Sequence, residues 1–426
     1  MKTICSVVVG YGDRGRVYGK YAVLHPEQLK IVAVVDPSDM NRDKAKEDFH
    51  LPEDRCYRSV EEFIKAGKIA DCVFNCTMDE LHVSTTLPLL DAGYDVMLEK
   101  PVTGNPEELF QLKERAEKNR CRLVICHVLR YTPFYQGIKK ALTEGRIGTI
   151  IAMEMSEYVG IQHVVTSYIR GKWRNSARSG SSILLAKSCH DLDLMCWLVG
   201  DSKPCRVASF GERTVFIPEN APAGAGNICT VDCPVEKDCM YSAKKMYLEH
   251  NTMDFLTWAG MDTYFENVTE EQKEKHLQQS DFGKCVYKLD GDLYDHQTVS
   301  VEFENGVTAS MNLISNATYP GRRIHIVGTK GEITGFLEEN IYTIREFDAD
   351  RMSYREEQFN VAAEVKSGHM GGDLRLVEDF VKLENGLRCS NSTTVIQDSV
   401  NGHLCVYAAD RSAKEGRVVN LDEYGH

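Results

Sequence analysis

Residues 4–15, ICSVVVGYGDRG, decide the fold. Ile4 to Val9 form an unbroken apolar run of strand length, and Gly10-Tyr11-Gly12-Asp13-Arg14-Gly15 follows at once. This is G-x-G-x-x-G in the strand-to-helix context that gives the motif its meaning. The first glycine permits a tight turn, the second lets backbone approach a pyrophosphate, and the third lets the next helix pack on the strand. A helix from Gly15 to about Leu24 would aim its N-terminal N–H groups at phosphate, with Asp13 and Arg14 beside it in the loop. The following strand, in LKIVAVVDP, ends at Asp36. A carboxylate there accepts hydrogen bonds from both ribose hydroxyls of an adenosine and repels a 2′-phosphate, so the expected cofactor is NAD, with NADP disfavoured.

Strands and helices go on alternating. Residues 42–49 and 60–66 read as helices, 70–76 (ADCVFNC) as a buried strand and 83–92 as a helix. Next comes YDVMLEKPVT, residues 94–103, a short strand that stops at a turn presenting Lys100, with Glu99 as its expected partner and Pro101 limiting the turn. Ligands of nucleotide-binding sheets sit at the carboxyl ends of strands, which makes Lys100 a site candidate; the plainer reading is a solvated strand end. A helix over 106–119 carries Glu107 and Glu108 in its first turn and Lys118 in its last, matching the helix dipole. A strand at 122–126 closes a first domain, 1–130, near Arg130.

From Thr149 the pattern changes to longer alternating runs at 149–158, 206–216, 296–303, 307–314, 323–327 and 341–347, the signature of a mainly antiparallel sheet. Helices are expected at 189–198, 373–384 and 392–415. The fold class is therefore α/β, an N-terminal Rossmann dinucleotide-binding domain followed by a C-terminal α/β domain, 131–426, with an insertion over about 219–285. That insertion holds Cys229, Cys233 and Cys239, with Cys285 at its far end. Four thiolates there would suit a structural zinc, although the spacing is not C-x-x-C and free cysteines are an equal reading. Two later stretches look unlike core. DGDLYDHQ (290–297) contains His296, and in SGHMGGD (367–373) Gly371 and Gly372 allow close backbone approach. His369 or Asp373 would contact a sugar hydroxyl, or Asp373 would simply cap the next helix.

Composition excludes several classes. The 426 residues are 42% hydrophobic, enough for a large core and at least two domains. With 50 basic and 63 acidic side chains the net charge is −13, and no basic stripe exists, so neither nucleic acid nor an anionic membrane is an expected partner. No apolar stretch approaches the ~20 residues of a membrane span. Fifteen scattered cysteines suit a reducing cytoplasm better than a disulfide framework.

Together VVVGYGDRG, VVDP, NCTMDELH, EKP and SCHDLD resemble the Gfo/Idh/MocA oxidoreductases, over nearly the whole chain. The resemblance implies NAD or NADP held by the first domain and an open sheet in the second that covers a small carbohydrate or cyclitol substrate and joins subunits, giving a homodimer or homotetramer. It places Gly10, Gly12, Gly15 and Asp36 on the cofactor, Thr77 and His82 near the nicotinamide, Glu99 and Lys100 as the paired Glu-Lys of the site, often with a cis Lys-Pro bond, and His190 as the catalytic histidine. Many sugar dehydrogenases of this kind carry Asp four residues before that histidine; here Ala186 stands there, followed by Lys187. Asp193, Asp191 or a more distant acid is left to orient the imidazole. The chemistry expected is hydride transfer from a ring hydroxyl, with His190 as acid/base, Lys100 stabilising the alkoxide and Lys187 binding a substrate hydroxyl. Arg130, His296, His369 and Asp373 complete the expected site. The rivals are an NAD-dependent glycosidase that oxidises and re-reduces its substrate, and a dinucleotide-bound sensor without catalysis.

Overall fold

A computed structural model describes residues 1–259, 261, 263–366 and 368–425; Ser367, quoted above, lies outside the described residues. Six short strands, β1 (Ile4–Val9), β2 (Leu29–Val35), β3 (Cys56–Tyr57), β4 (Cys72–Asn75), β5 (Asp95–Leu98) and β6 (Leu123–Ile125), form a parallel sheet in the order β3-β2-β1-β4-β5-β6. Every residue of β4 and β6 is buried, as expected of parallel strands covered by helices on both faces. The strand order reverses between β1 and β4, and ligands of such sheets bind in the crevice outside the carboxyl ends at that point.

The C-terminal part of the chain returns to this sheet. Helix Gly368–Glu384 buries Leu376, Val377, Phe380 and Val381 in one core with Val8, Val34, Phe74 and Met97, and the Phe380 ring lies 5.8 Å from Phe74. Ile125 N also donates to Thr394 O at 2.8 Å. Closure of the Rossmann layer therefore needs residues far beyond position 130.

The second sheet has nine strands in the order β14-β13-β12-β11-β7-β10-β9-β8-β15. They are β7 (Ile150–Gly160), β8 (Pro204–Glu212), β9 (His296–Phe303), β10 (Thr308–Ala317), β11 (Gly321–Gly328), β12 (Gly331–Phe336), β13 (Ile341–Asp348), β14 (Ser353–Asn360) and β15 (Val419–Asn420). All neighbours run antiparallel except β7 and β10. Three of these strands fall outside the sequence expectation. β14, SYREEQFN, is exposed at nearly every position, a charged edge strand with no apolar alternation to read.

Helix Ile183–Val199 packs against β7 and β10 and starts earlier than its pattern suggested, at Ser182, whose Oγ accepts from Leu185 N at 3.1 Å. It is buried nearly all round, so no polar stripe marks its beginning. The inserted segment packs into a further core, in which Tyr241, Tyr247 and Trp258 join Val164, Tyr168, Phe216 and Leu313. Among the described residues no helix is long and apolar enough to cross a membrane.

Candidate active site

A cavity of about 540 Å³ lies at the carboxyl ends of the parallel strands, lined on one side by Gly10, Gly12 and Asp36 and on the other by Lys187, His190 and Arg322. Three glycines fill three different needs. Gly10 has φ +84°, and a Cβ on it would stand 2.7 Å from Cys76 O. On Gly15 a Cβ would stand 2.2 Å from Gly10 O. A Cβ on Gly12 would meet no protein atom within 4 Å, so that backbone is open to the cavity. Gly12 caps helix Asp13–Leu24 with no side-chain hydrogen bond, leaving the first N–H groups available to a phosphate. Asp36 sits at the end of β2, accepting from Tyr11 N at 2.8 Å and Ser38 N at 2.9 Å, with Asn41 Nδ2 at 3.2 Å. These bonds fix a carboxylate where a ribose diol would be read. The residues present fit a dinucleotide.

Glu99 does not pair with the Lys100 side chain. Its Oε1 accepts from Arg14 Nε at 2.7 Å and Tyr18 OH at 2.6 Å, and its Oε2 accepts from the Lys100 backbone N–H at 3.0 Å. Arg14 Nη2 also donates to Asp373 Oδ1 at 2.7 Å, and His369 Nδ1 lies 3.0 Å from the same oxygen. Burial alone would raise both carboxyl pKa values. The Arg14 and Lys100 cations outweigh it at Glu99, and His369 with Arg14 holds Asp373 down to about 2. The glycine loop, the strand-end Glu-Lys and the SGHMGGD turn thus meet at one guanidinium. Asp373 accepts from Arg14, and among the described residues of this turn only His369 reaches the cavity lining.

The Lys100–Pro101 peptide is cis, and Lys100 Nζ donates to Ala186 O at 3.1 Å. That bond joins the end of β5 to helix Ile183–Val199, on which Lys187 and His190 are spaced by three and share a face. Burial, then the Lys100 ammonium, push the His190 pKa well below the ordinary histidine value, so the ring is neutral. Neither neighbouring aspartate orients it. Asp191 is held by Arg322 Nε at 2.8 Å, Asp193 by Arg130 at 2.6 and 2.7 Å, and His190 Nδ1 is buried without a hydrogen-bond partner among the described residues.

Lys187 Nζ lies 3.2 Å from Glu157 Oε1, and Arg322 Nε lies 2.9 Å from Glu157 Oε2. Lys187 and Arg322 thus line the cavity, and the buried carboxylates of Glu157 and Asp191 answer them from behind its floor. Glu157 and Arg322 escaped the sequence reading, yet a signal was there. Glu157 is in phase with buried Met153 and Met155 on β7, and Arg322 with buried Ile324 and Ile326 on β11. Charges in register with apolar positions mark a buried pair. His163, Lys172 and Trp173 also line the cavity and were likewise not anticipated.

Other expected site residues are placed elsewhere. Arg130, expected on the cofactor, is buried and committed bidentately to Asp193. His82 faces Pro101 O at 2.6 Å and Thr77 O at 3.0 Å, behind Thr77, which does line the cavity. His296, expected on the substrate, is half exposed on β9 and paired with Asp295 at 2.7 Å. Position along the chain suggested these contacts; side-chain direction denied them. The four cysteines ring a small space beside buried Arg170, whose Nη2 donates to Cys229 Sγ at 3.5 Å. Among the described residues no three His, Cys, Asp or Glu side chains are placed to hold a metal ion, so the expected zinc site is not seen.

This fold and cavity define a dinucleotide-dependent oxidoreductase. The chain belongs to the oxidoreductase family whose NAD-binding Rossmann fold matches residues 4–127 and whose C-terminal alpha/beta domain matches residues 139–421, the Gfo/Idh/MocA family. YteT of Bacillus subtilis (strain 168), an oxidoreductase by name, is 24% identical over 358 residues, 80% of this chain and 78% of YteT. An inositol 2-dehydrogenase of Corynebacterium glutamicum is 25% identical over 204 residues, 47% of this chain and 55% of that protein. A levoglucosan dehydrogenase, solved with NADH and levoglucosan, superposes with TM-score 0.71 at 17% identity over 98% of this chain and 99% of that one, a likeness of fold.

Proposed function

We propose that the chain is an NAD-dependent dehydrogenase of a ring hydroxyl on a sugar, glycoside or cyclitol. The observation carrying this reading is that Lys100, Lys187 and His190 line the same cavity as the glycine loop and Asp36. A nicotinamide bound there supplies the hydride acceptor. The protein supplies the rest: neutral His190 takes the hydroxyl proton, Lys100 stabilises the alkoxide as it forms, and Lys187, held by Glu157, donates to a substrate hydroxyl. Asp36 favours NAD over NADP by repelling a 2′-phosphate. Gly12 and the N–H groups after it receive the diphosphate, with Asp13, Arg14 and Thr77 alongside. The relatives named for inositol and levoglucosan support a polyhydroxylated ring as substrate. A cytoplasmic homo-oligomer joined through the open face of the nine-stranded sheet completes the proposal.

The test is NADH formation from NAD across a panel of sugars, cyclitols and aryl glycosides, with aglycone release followed in the same wells. Steady NADH formation that is lost in Lys100→Ala and His190→Ala supports the dehydrogenase. Aglycone release without net NADH would replace it with the redox-neutral glycosidase.

A further inference from the structure

The insertion reaches the adenosine end of the cavity. Helix Asp254–Thr257 and the residue before it bring Met253, Phe255 and Leu256 into the lining that also contains Asp36, Pro37 and Asn41. Further along the same segment, Tyr264 OH donates to Met40 O at 2.7 Å, one residue from Asn41. The Arg16 guanidinium, on the helix that the glycine loop opens, lies 5.6 Å from the Tyr264 ring centre and 5.9 Å from that of Phe265. The base of this segment is fixed. Trp258 is 1% exposed, donates Nε1 to Asn251 Oδ1 at 3.2 Å and packs near Tyr247 and His276. A segment of the second domain therefore crosses to the first and is tied there by one hydrogen bond and by the Arg16 guanidinium against two aromatic rings.

We infer that Met253, Phe255 and Leu256 form a wall of the adenosine pocket, and that Tyr264 with Arg16 and Met40 latches it, so that dinucleotide leaves only when the latch opens. The inference rests on the reading that this cavity binds NAD. An adenosine has two broad faces, and a Rossmann strand end supplies groups for its ribose edge. The apolar trio gives the base an apolar neighbour from the opposite domain, and the latch makes exchange depend on a motion of the insertion and not on diffusion alone.

The experiment is the dissociation rate of NADH from the intact protein, read by nicotinamide fluorescence after displacement with excess NAD. Tyr264→Ala removes the hydrogen bond and the ring, and is expected to speed release about tenfold, the size set by one such bond plus one exposed cation–aromatic contact. Tyr264→Phe keeps the ring and is expected to give an increase of about threefold by the same reasoning. The double variant Phe255→Ala/Leu256→Ala leaves the latch in place and weakens NADH binding. Hydrogen exchange of the wild-type chain gives a second reading, with slower exchange in residues 251–268 when NADH is bound. Wild-type release rates in Tyr264→Ala with unchanged exchange in 251–268 would overturn the inference. If NADH fails to bind the wild-type chain at all, the functional reading falls with it; binding with release indifferent to Tyr264 removes the latch alone.

Discussion

Glu157→Gln tests whether the charged floor of the cavity is organised as described. Glu157 is 3% exposed, and its carboxylate is shared by the Lys187 ammonium and the Arg322 guanidinium. Burial raises its pKa, but Arg322 and Lys187 outweigh that and hold it low, so it is ionised at neutral pH. Removing one partner of a buried ion pair costs about 3–5 kcal/mol. Arg322 keeps Asp191, and glutamine still accepts a hydrogen bond, so a cost of about 3 kcal/mol at neutral pH is expected. In urea that is a midpoint lower by roughly 1 M at a slope of about 3 kcal/mol/M. Lys187 bears most of the loss. Burial already lowers its pKa against the pull of Glu157, and without Glu157 it falls further. A lysine whose folded pKa lies below the unfolded value destabilises the fold most at low pH. That penalty fades as pH rises toward the unfolded value, by up to about 1.4 kcal/mol per pH unit. The deficit of Glu157→Gln should therefore shrink as pH rises from 7 toward the unfolded lysine value of about 10.4. An unchanged urea midpoint at pH 7, or a deficit that widens with pH, would refute the assignment of Lys187 to Glu157.

Three further outcomes are expected. His190→Ala should lower kcat by about 10²–10⁴-fold; because burial and Lys100 depress its pKa, the base form of His190 persists below the ordinary histidine range. The acid limb of the wild-type pH profile should then lie below about pH 6.5, and a limb at or above that value would remove His190 as the base. Gly12→Ala should leave the thermal midpoint unchanged, since its Cβ meets nothing within 4 Å, yet weaken NADH binding as judged by fluorescence titration, whereas Gly15→Ala forces a Cβ to within 2.2 Å of Gly10 O and should lower the midpoint itself. Asp36→Ser should shift the NADH-to-NADPH affinity ratio toward NADPH by roughly tenfold or more, because the group that repels a 2′-phosphate is gone; an unchanged ratio would place cofactor choice elsewhere.

The sequence by itself marked the Rossmann half and its glycine loop, and put Lys100, Lys187 and His190 forward as candidates. The first of these is local: a strand, three glycines and a helix within residues 4–24 need no distant contact to be read, whereas only the structure puts Lys187 and His190 on one helix, since local pattern starts that helix at 189. Local pattern also marked most of the second sheet, and missed β14 because a charged edge strand carries no buried face. What only the tertiary structure decided is which charge answers which. Glu99 turned from Lys100 to Arg14, Asp193 went to Arg130 and Asp191 to Arg322; Arg130 points away from the cavity although Leu129 lines it, and His296 lies on β9 paired with Asp295. The insertion showed only as a break in periodicity, yet Phe255, Leu256 and Tyr264 come to lie beside Asp36 and Met40. Partners in an ion pair are chosen by side-chain direction and by which buried charge has no water to answer it, and both are set only once distant segments have packed.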